Sequence, residues 1–399
     1  MFSFRTTPLE DQLDRTLQEG RIGCFCTQNC WDTGRSRWMY DIFRLRGNLQ
    51  TVFTPRDAEL TPGTNHIDFD MERLQGLDAI VVEIQDVGVR YFNYTKDVMR
   101  LMEMLQLLGD DAPSLYIVDH INPSGRVVEG TIPAVVGEMF VPKVAHRHGL
   151  TLGELVNLYS AEIGAKFPIH VISARATDSN RQLLPWTIAP ASDIPGLFSS
   201  YLYSSEIGAR FPIHVISARA TDANRQLLPW TIAPASDIPG LFSSYLYSGG
   251  GLWNNTTLTP GIGTARPYEY IGAPFVKPLQ AADLPQAEGA LLRPCSFTPA
   301  AGIYAGQRCF GFQIMLSPGE NYHSLLHTLQ LMRWFSEHYS QFEVSEDFHV
   351  KLSDPVLSEY IKGSIPFDVV QEHIKLEEQK WIRKAKRYLL YEDQPYRMK

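Results

Sequence analysis

The chain has 399 residues, enough for two domains that each bury a sizeable core. Hydrophobic residues make up 44% and charged residues 20%, a globular composition that argues against intrinsic disorder. The net charge of −8 and the lack of a long Lys/Arg run argue against a nucleic-acid partner.

The N-terminus, MFSFRTTPLEDQLDR, has no apolar core of a signal peptide. The chain as written therefore reads as cytoplasmic, or as secreted or periplasmic if its N-terminus is incomplete. No run of about 18 apolar residues exists, so no membrane span is expected. Residues 21–27 (RIGCFCT) are expected to form a first strand, residues 36–46 a helix and residues 49–55 a second strand. Residues 79–85 (AIVVEIQ) are almost continuously apolar and predict a central strand covered on both faces. Val98, Leu101, Met102 and Leu105 have helical spacing within 95–108, and residues 115–120 (LYIVDH) read as another buried strand. Thr151 followed by Glu154 predicts a capping box that opens a helix over 151–163. Residues 169–174 (IHVISA) give a further strand. This alternation predicts an α/β fold, a doubly wound, Rossmann-like parallel sheet with helices on both faces.

Residues 161–204 and 205–248 are a tandem duplication with an offset of 44, differing only at Ala161/Ser205, Lys166/Arg210 and Ser179/Ala223. A folded domain has one place for one such strand and loop. One copy is therefore expected in the native slot and the other extruded or loosely packed. Beyond Gly249–Gly251 the chain is dense in Gly and Pro to Pro274. It then predicts a strand over 310–316 and helices over 324–339 and 374–386. The organisation read from this is a Rossmann-like domain over 1–175, a connecting region over 176–248 and a smaller mixed α/β domain over 249–399. The basic run at 380–387 (KWIRKAKR) reads as a solvated helix face.

The five cysteines, Cys24, Cys26, Cys30, Cys295 and Cys309, are too few and too irregular for a disulfide framework and read as reduced thiols. No fourth ligand has zinc-like spacing beside the first three, so neither a metal nor another cofactor is expected. Polar residues gather after the two central strands. The first group is Glu83, Gln85, Asp86, Arg90 and Tyr91, the second Asp119, Asn122 and Glu129, and the third His146, Arg147 and His148 leading into the helix at Thr151. Ligands of such sheets bind beyond the carboxyl ends of strands. The same residues also suit structural duties, such as an Asp86–Arg90 bridge or a turn set by Asn122-Pro123. No nucleophile elbow, P-loop or dinucleotide glycine fingerprint occurs.

These segments, in this order, resemble the NamZ family of exo-β-N-acetylmuramidases. The likeness runs through Gln85-Asp86-Val87-Gly88-Val89-Arg90, Tyr94, Asp119, Asn122-Pro123, Glu129-Gly130, Arg147-His148-Gly149, Thr151, Gly153 and Glu154. It continues in a Leu-Pro-Trp motif present in both copies, then in Gly263-Thr264, Arg266-Pro267, Ile271-Gly272-Ala273-Pro274 and Tyr388-Leu389-Leu390-Tyr391. The resemblance implies two α/β domains with the active site in the cleft between them, acting on small saccharides derived from peptidoglycan. For such a glycosidase the acid/base candidates are Glu83, Asp86, Glu129 and Asp57, first of all the Glu83/Asp86 segment and Glu129 because both follow central strands, with His148 assisting or binding a sugar hydroxyl. Substrate contacts are implied for Gln85, Arg90, Tyr91, Tyr94, Asp119, Asn122, Arg147 and Arg266, the arginines being suited to a lactyl carboxylate. Tyr91, Tyr94 and Trp253 fit either a sugar face or the core. Three motifs depart from the family. Its Ser-Glu-Gly-Arg-Gly stands here as Thr259-Pro260-Gly261-Ile262-Gly263. Its Pro-Glu-His-Gly stands here as Pro55-Arg56-Asp57-Ala58, with Asp57 or Glu59 as possible substitutes. Its Phe-Glu-Gly-Thr-Asn stands as Trp253-Asn254-Asn255-Thr256-Thr257. The expected function is thus an exo-β-N-acetylmuramidase-like glycosidase, the alternative a weak or inactive homologue that binds muropeptides or another sugar. No oligomeric state is read from the sequence.

Overall fold

A computed structural model describes residues 9–10, 13–32, 35–55, 58, 65–66, 71–120, 122–133, 143–172, 232–317 and 322–390. Its larger sheet is six-stranded and parallel. The strands are β1 (Ile22–Cys26), β4 (Leu49–Thr54), β5 (Asn65–His66), β6 (Ala79–Glu83), β7 (Ser114–Val118) and β8 (Ile169–Ile172), in the spatial order β5-β4-β1-β6-β7-β8. From β1 the chain moves outward to β4 and β5, then returns to the other side of β1 as β6. The crevice between the ends of β1 and β6 is the point where the winding reverses, and ligands of open α/β sheets bind there.

Side chains that alternate along the strands divide between two cores. Ile80, Val82, Leu115 and Ile117 face a large core with Phe25 and Phe53, while Ala79, Val81, Tyr116 and Val118 face a second with Ile22, Cys24 and Cys26. Leu17 of α1 (Arg15–Glu19) and Ile42 and Phe43 of α2 (Asp41–Arg46) cover the second core. The large core takes Leu74 of α3 (Met71–Leu74), Val98, Leu101, Met102 and Leu105 of α4 (Asn93–Leu108), and Leu152, Leu155 and Val156 of α5 (Leu152–Ile163). Both faces are covered, as the apolar strands predict. The capping box at Thr151 and Glu154 forms as expected.

The chain beyond the duplication builds a smaller unit. Its antiparallel sheet has the order β10-β11-β9, from β9 (Tyr270–Ala273), β10 (Ala290–Phe297) and β11 (Cys309–Leu316). Helices α6 (Leu241–Gly250), α7 (Ser324–His338), α8 (Glu346–Leu352), α9 (Pro355–Lys362) and α10 (Phe367–Ala385) accompany it. The large core continues into this unit through Tyr245, Trp253, Phe312, Leu325, Phe335 and Trp381.

Two expectations need correction. Residues 36–46 are not one helix: Arg37–Trp38 form β3, which pairs antiparallel with β2 (Trp31–Asp32), and α2 starts only at Asp41. The Asp41 carboxylate accepts the Trp38 N–H at 3.0 Å and so fixes the corner between them. The second correction concerns the duplication, of which neither copy fills the native place by itself. β8 comes from copy one, whereas α6 and the loop before it come from copy two. Residues 173–231, with both Leu-Pro-Trp motifs, lie outside the described residues, as do Asp57, Glu59 and Tyr391.

Candidate active site

Cys26 and Glu83 end β1 and β6 and are partners in the sheet register, so Glu83 stands at the point of reversal. Its carboxyl group is fully buried. Oε1 lies 3.1 Å from Nε2 of His120, which follows β7, while Oε2 has no hydrogen-bond partner among the described residues. Burial raises the proton affinity of Glu83, against the opposing pull of His120. Burial lowers that of His120, but the hydrogen bond and charge of Glu83 outweigh it, and His120 also moves up. The pair therefore holds a proton over a wider pH range than either group would alone. The His120 side chain is 22% exposed, so the pair borders solvent.

The segments after β6 and β7 are woven together. Arg90 N–H donates to His146 O and His148 N–H to Gly88 O, both at 3.0 Å; Glu129 and Arg147 exchange backbone bonds of 3.1 and 3.0 Å. Gly88 makes this possible: its φ is +76°, and a Cβ there would come within 2.4 Å of the Asn122 amide. Under this weave lies a second acid–histidine pair. Asp86 accepts from Thr95 Oγ1 at 2.7 Å, and its Oδ2 sits 3.5 Å from His148 Nε2. His148 Nδ1 accepts the Leu150 N–H at 3.2 Å, which leaves the ring proton on Nε2, facing Asp86. Burial lifts Asp86 to about 7 and presses His148 down to about 3.

Two family models match the sequence: the N-terminal part of exo-β-N-acetylmuramidase NamZ over residues 64–195, and its C-terminal part over residues 245–391. This chain belongs to the NamZ family. The matches leave out residues 196–244, most of copy two. A curated relative, peptidoglycan β-N-acetylmuramidase NamZ of Bacillus subtilis, is 23% identical over 283 residues. That match covers 68% of this chain and 56% of the relative, so the chain spans little more than half of the relative's length. Two crystal structures of DUF1343 family proteins from Bacteroides fragilis share the fold. One has a TM-score of 0.69 at 17% identity over 94% of this chain and 95% of the other. The second has a TM-score of 0.66 at 18% identity over 95% and 96%.

Several residues that the NamZ resemblance singles out do structural duty. Asp119 caps α5, accepting from Thr151 Oγ1 at 2.6 Å and from Gly153 N–H at 2.8 Å. Asn122 closes a turn through Ser124 N–H and donates to Leu150 O, each at 2.9 Å. Gln85 donates to Asp86 O at 2.8 Å. Glu129 is fully buried at the start of α7. It accepts from Ser324 N–H and Leu325 N–H, both at 3.3 Å, and from Ser248 Oγ. Arg147 lies 3.5 Å from Glu129, over the Tyr245 ring, and donates to Tyr245 O and Ser248 Oγ. Arg90 donates to Thr131 O at 2.7 Å and to Leu352 O at 2.7 Å, closing the end of α8. Tyr91 hydroxyl donates to backbone carbonyls of α6, and Tyr94 packs against Phe92. Trp253 is a fully buried core residue. Arg266 stands apart, half-exposed and paired with Glu269 at 2.9 Å. Of the site residues expected from sequence, Glu83 alone combines the point of winding reversal with a neighbour that borders solvent.

Sequence reasoning passed over the end of β1. There Gln28 donates to Pro234 O at 2.9 Å and Asn29 to Ile232 O at 2.9 Å, tying the copy-two loop across the end of β1. Asp32 follows in β2. The rule that drew attention to Glu83, polar residues just past an apolar strand, applies equally to residues 27–32. Ser248, His323 and Glu378 were also missed. His323 Nε2 lies 2.9 Å from Glu378 Oε1, which accepts the Gly130 N–H at 2.8 Å. Their partners lie too far away in sequence to leave a local signal.

Proposed function

We propose that this NamZ-family chain is a glycoside hydrolase that releases terminal N-acetylmuramic acid from peptidoglycan fragments, with Glu83 as its proton donor. The observation that carries this reading is the Glu83–His120 pair at the point of winding reversal. Glycosidases need a carboxylic acid that stays protonated until it meets the leaving oxygen. Burial raises the proton affinity of this carboxyl group, and His120, 3.1 Å away, shares the pair's proton with it, so Glu83 is the carboxyl group of the pair that can pass a proton to the leaving oxygen. Membership of a family described as exo-β-N-acetylmuramidases supports the substrate class. Arg266 is the half-exposed member of the three arginines considered for the lactyl carboxylate, and it fits that role better than the buried Arg90 and Arg147.

The Glu83→Gln variant tests the assignment. It keeps the shape and a hydrogen bond to His120 but has no proton to give. Turnover of an aryl N-acetylmuraminide should fall about 100-fold or more, in line with general acid catalysis, while the unfolding transition stays close to that of the parent. Activity within a few-fold of the parent would remove Glu83 from the mechanism.

A second reading is a weak or inactive homologue that binds muropeptides or another sugar. It is favoured by the loop at Trp253–Asn255, where the family's glutamate position holds Asn254, whose amide reaches Tyr268 Oη at 3.4 Å. Turnover separates the two readings; binding alone does not.

A further inference from the structure

We propose that Asp32 is the second carboxylate of the site, the base that works on the substrate from the side opposite Glu83. The inference rests on the reading of Glu83 as proton donor. Its ground is the way the chain leaves β1. A single turn, Gln28–Cys30, carries it from the end of β1 into β2. Cys30 Sγ–H donates to the backbone carbonyl of Glu83 at 2.9 Å and itself accepts the Thr27 N–H at 3.3 Å. Asp32 lies two residues past this anchor. The Cys30 anchor thus holds the chain carrying Asp32 against the end of β6, where Glu83 stands, in the strand next to β1.

Their surroundings differ in the way acid and base must differ. Glu83 is paired with a histidine and has one buried oxygen with no hydrogen-bond partner among the described residues. Asp32 accepts from the Arg35 N–H on Oδ1 and from Arg35 Nη1 on Oδ2, both at 3.1 Å, and its residue is 5% exposed. Both oxygens thus accept from donors, one of them a guanidinium, the pattern in which a carboxylate accepts. The charge of Asp32 also reaches Glu83, adding to burial in raising its proton affinity.

The step balances as a single displacement. Glu83 gives its proton to the glycosidic oxygen, the bond from that oxygen to the anomeric carbon breaks, and the electron pair leaves with the departing sugar. A water oxygen bonds to the anomeric carbon from the opposite face, and Asp32 takes the water's proton. Solvent then returns a proton to Glu83 and removes one from Asp32. The anomeric configuration inverts.

The test uses the full chain, the aryl N-acetylmuraminide, and the variants Asp32→Asn, Asp32→Gly and Glu83→Gln. Asp32→Asn should cut kcat about 100-fold with little change in KM, and the acid limb of its pH–rate profile should disappear. Azide should restore turnover to Asp32→Gly by entering where the water stood, giving the glycosyl azide of inverted configuration. A residue that only closes the β2–β3 turn would not give that rescue. Should Asp32→Asn fold poorly, the azide-treated Asp32→Gly product and the anomer first released by the parent enzyme decide the matter. Retained configuration, no rescue, or an Asp32→Asn rate within a few-fold of the parent overturns the proposal. If the parent works and Glu83→Gln is dead while Asp32→Asn stays active, this inference alone falls. If the parent turns over no muraminide, the reading of Glu83 falls and this one falls with it.

Discussion

The Asp86→Asn substitution offers a direct check on the buried chemistry beneath the site. Asp86 is almost fully enclosed, and its proton affinity rises from the usual 3.8 to about 7, chiefly through burial. A carboxyl group whose folded pKa is raised stabilises the fold while both states are protonated, below about pH 4. That contribution is lost as the pH climbs through about 7, because the unfolded chain releases its proton earlier. At about 1.4 kcal/mol for each tenfold change in proton affinity, the loss across this window comes to about 4 kcal/mol. Asparagine keeps the shape and can still accept from Thr95, but it does not titrate. The stability of the variant relative to the parent should therefore improve by about 4 kcal/mol between pH 4 and pH 8. Urea unfolding of both proteins, followed by tryptophan fluorescence over that range, measures it, and the other titrating groups cancel in the difference. A difference that stays flat with pH would refute the reasoning, since it would mean that Asp86 ionises as easily in the folded chain as in water.

Other outcomes follow from the same structure. Glu129→Ala leaves Arg147 buried without its counter-charge and strips two N–H acceptors from the start of α7. A loss of about 3–5 kcal/mol in unfolding free energy is expected from removing one partner of a buried pair, and a loss under about 1 kcal/mol would contradict the buried role given to Glu129. Because β8 comes from copy one and α6 from copy two, deleting residues 173–216 joins Ile172 to Ser217 and restores a single copy. The shortened chain should keep the circular dichroism spectrum and cooperative melting of the parent; loss of cooperativity would show that the duplicated segment carries structure the fold requires. Gly88→Ala must push a Cβ into Asn122 and hold a strained positive φ, so it should destabilise by about 2 kcal/mol or more. A melting temperature equal to the parent's would contradict the packing described for that turn.

The large sheet was legible because its strands announce themselves. β6 is continuously apolar since both of its faces are covered, and Thr151 with Glu154 marks the start of α5 in four residues. The three polar segments after the central strands were also legible as a group, and the structure weaves them together. Their division of labour was not. Asp119 and Glu129 look alike in sequence, both acidic and both in the segment that follows β7, yet each serves a helix N-terminus. For Glu129 that helix begins 195 residues later, at Ser324. Arg90 and Arg147 read as carboxylate clamps because a sequence shows the guanidinium and not the carbonyls of Leu352 and Tyr245 that it meets. β3 was read as the start of a helix, because its two residues are too few to show a period and the α2 pattern follows at once. Asp32 lies before that helix and was passed over with the rest of residues 27–32.

The central claim is that this chain cleaves muraminides. The measurement that tests it most directly is release of chromophore from a β-linked N-acetylmuramic acid aryl glycoside, with the matching N-acetylglucosamine glycoside alongside. Turnover of the muramic acid compound is expected, lost in Glu83→Gln, with little or none of the glucosamine compound. No turnover of the muramic acid compound by a folded protein, or equal turnover in Glu83→Gln, would contradict it.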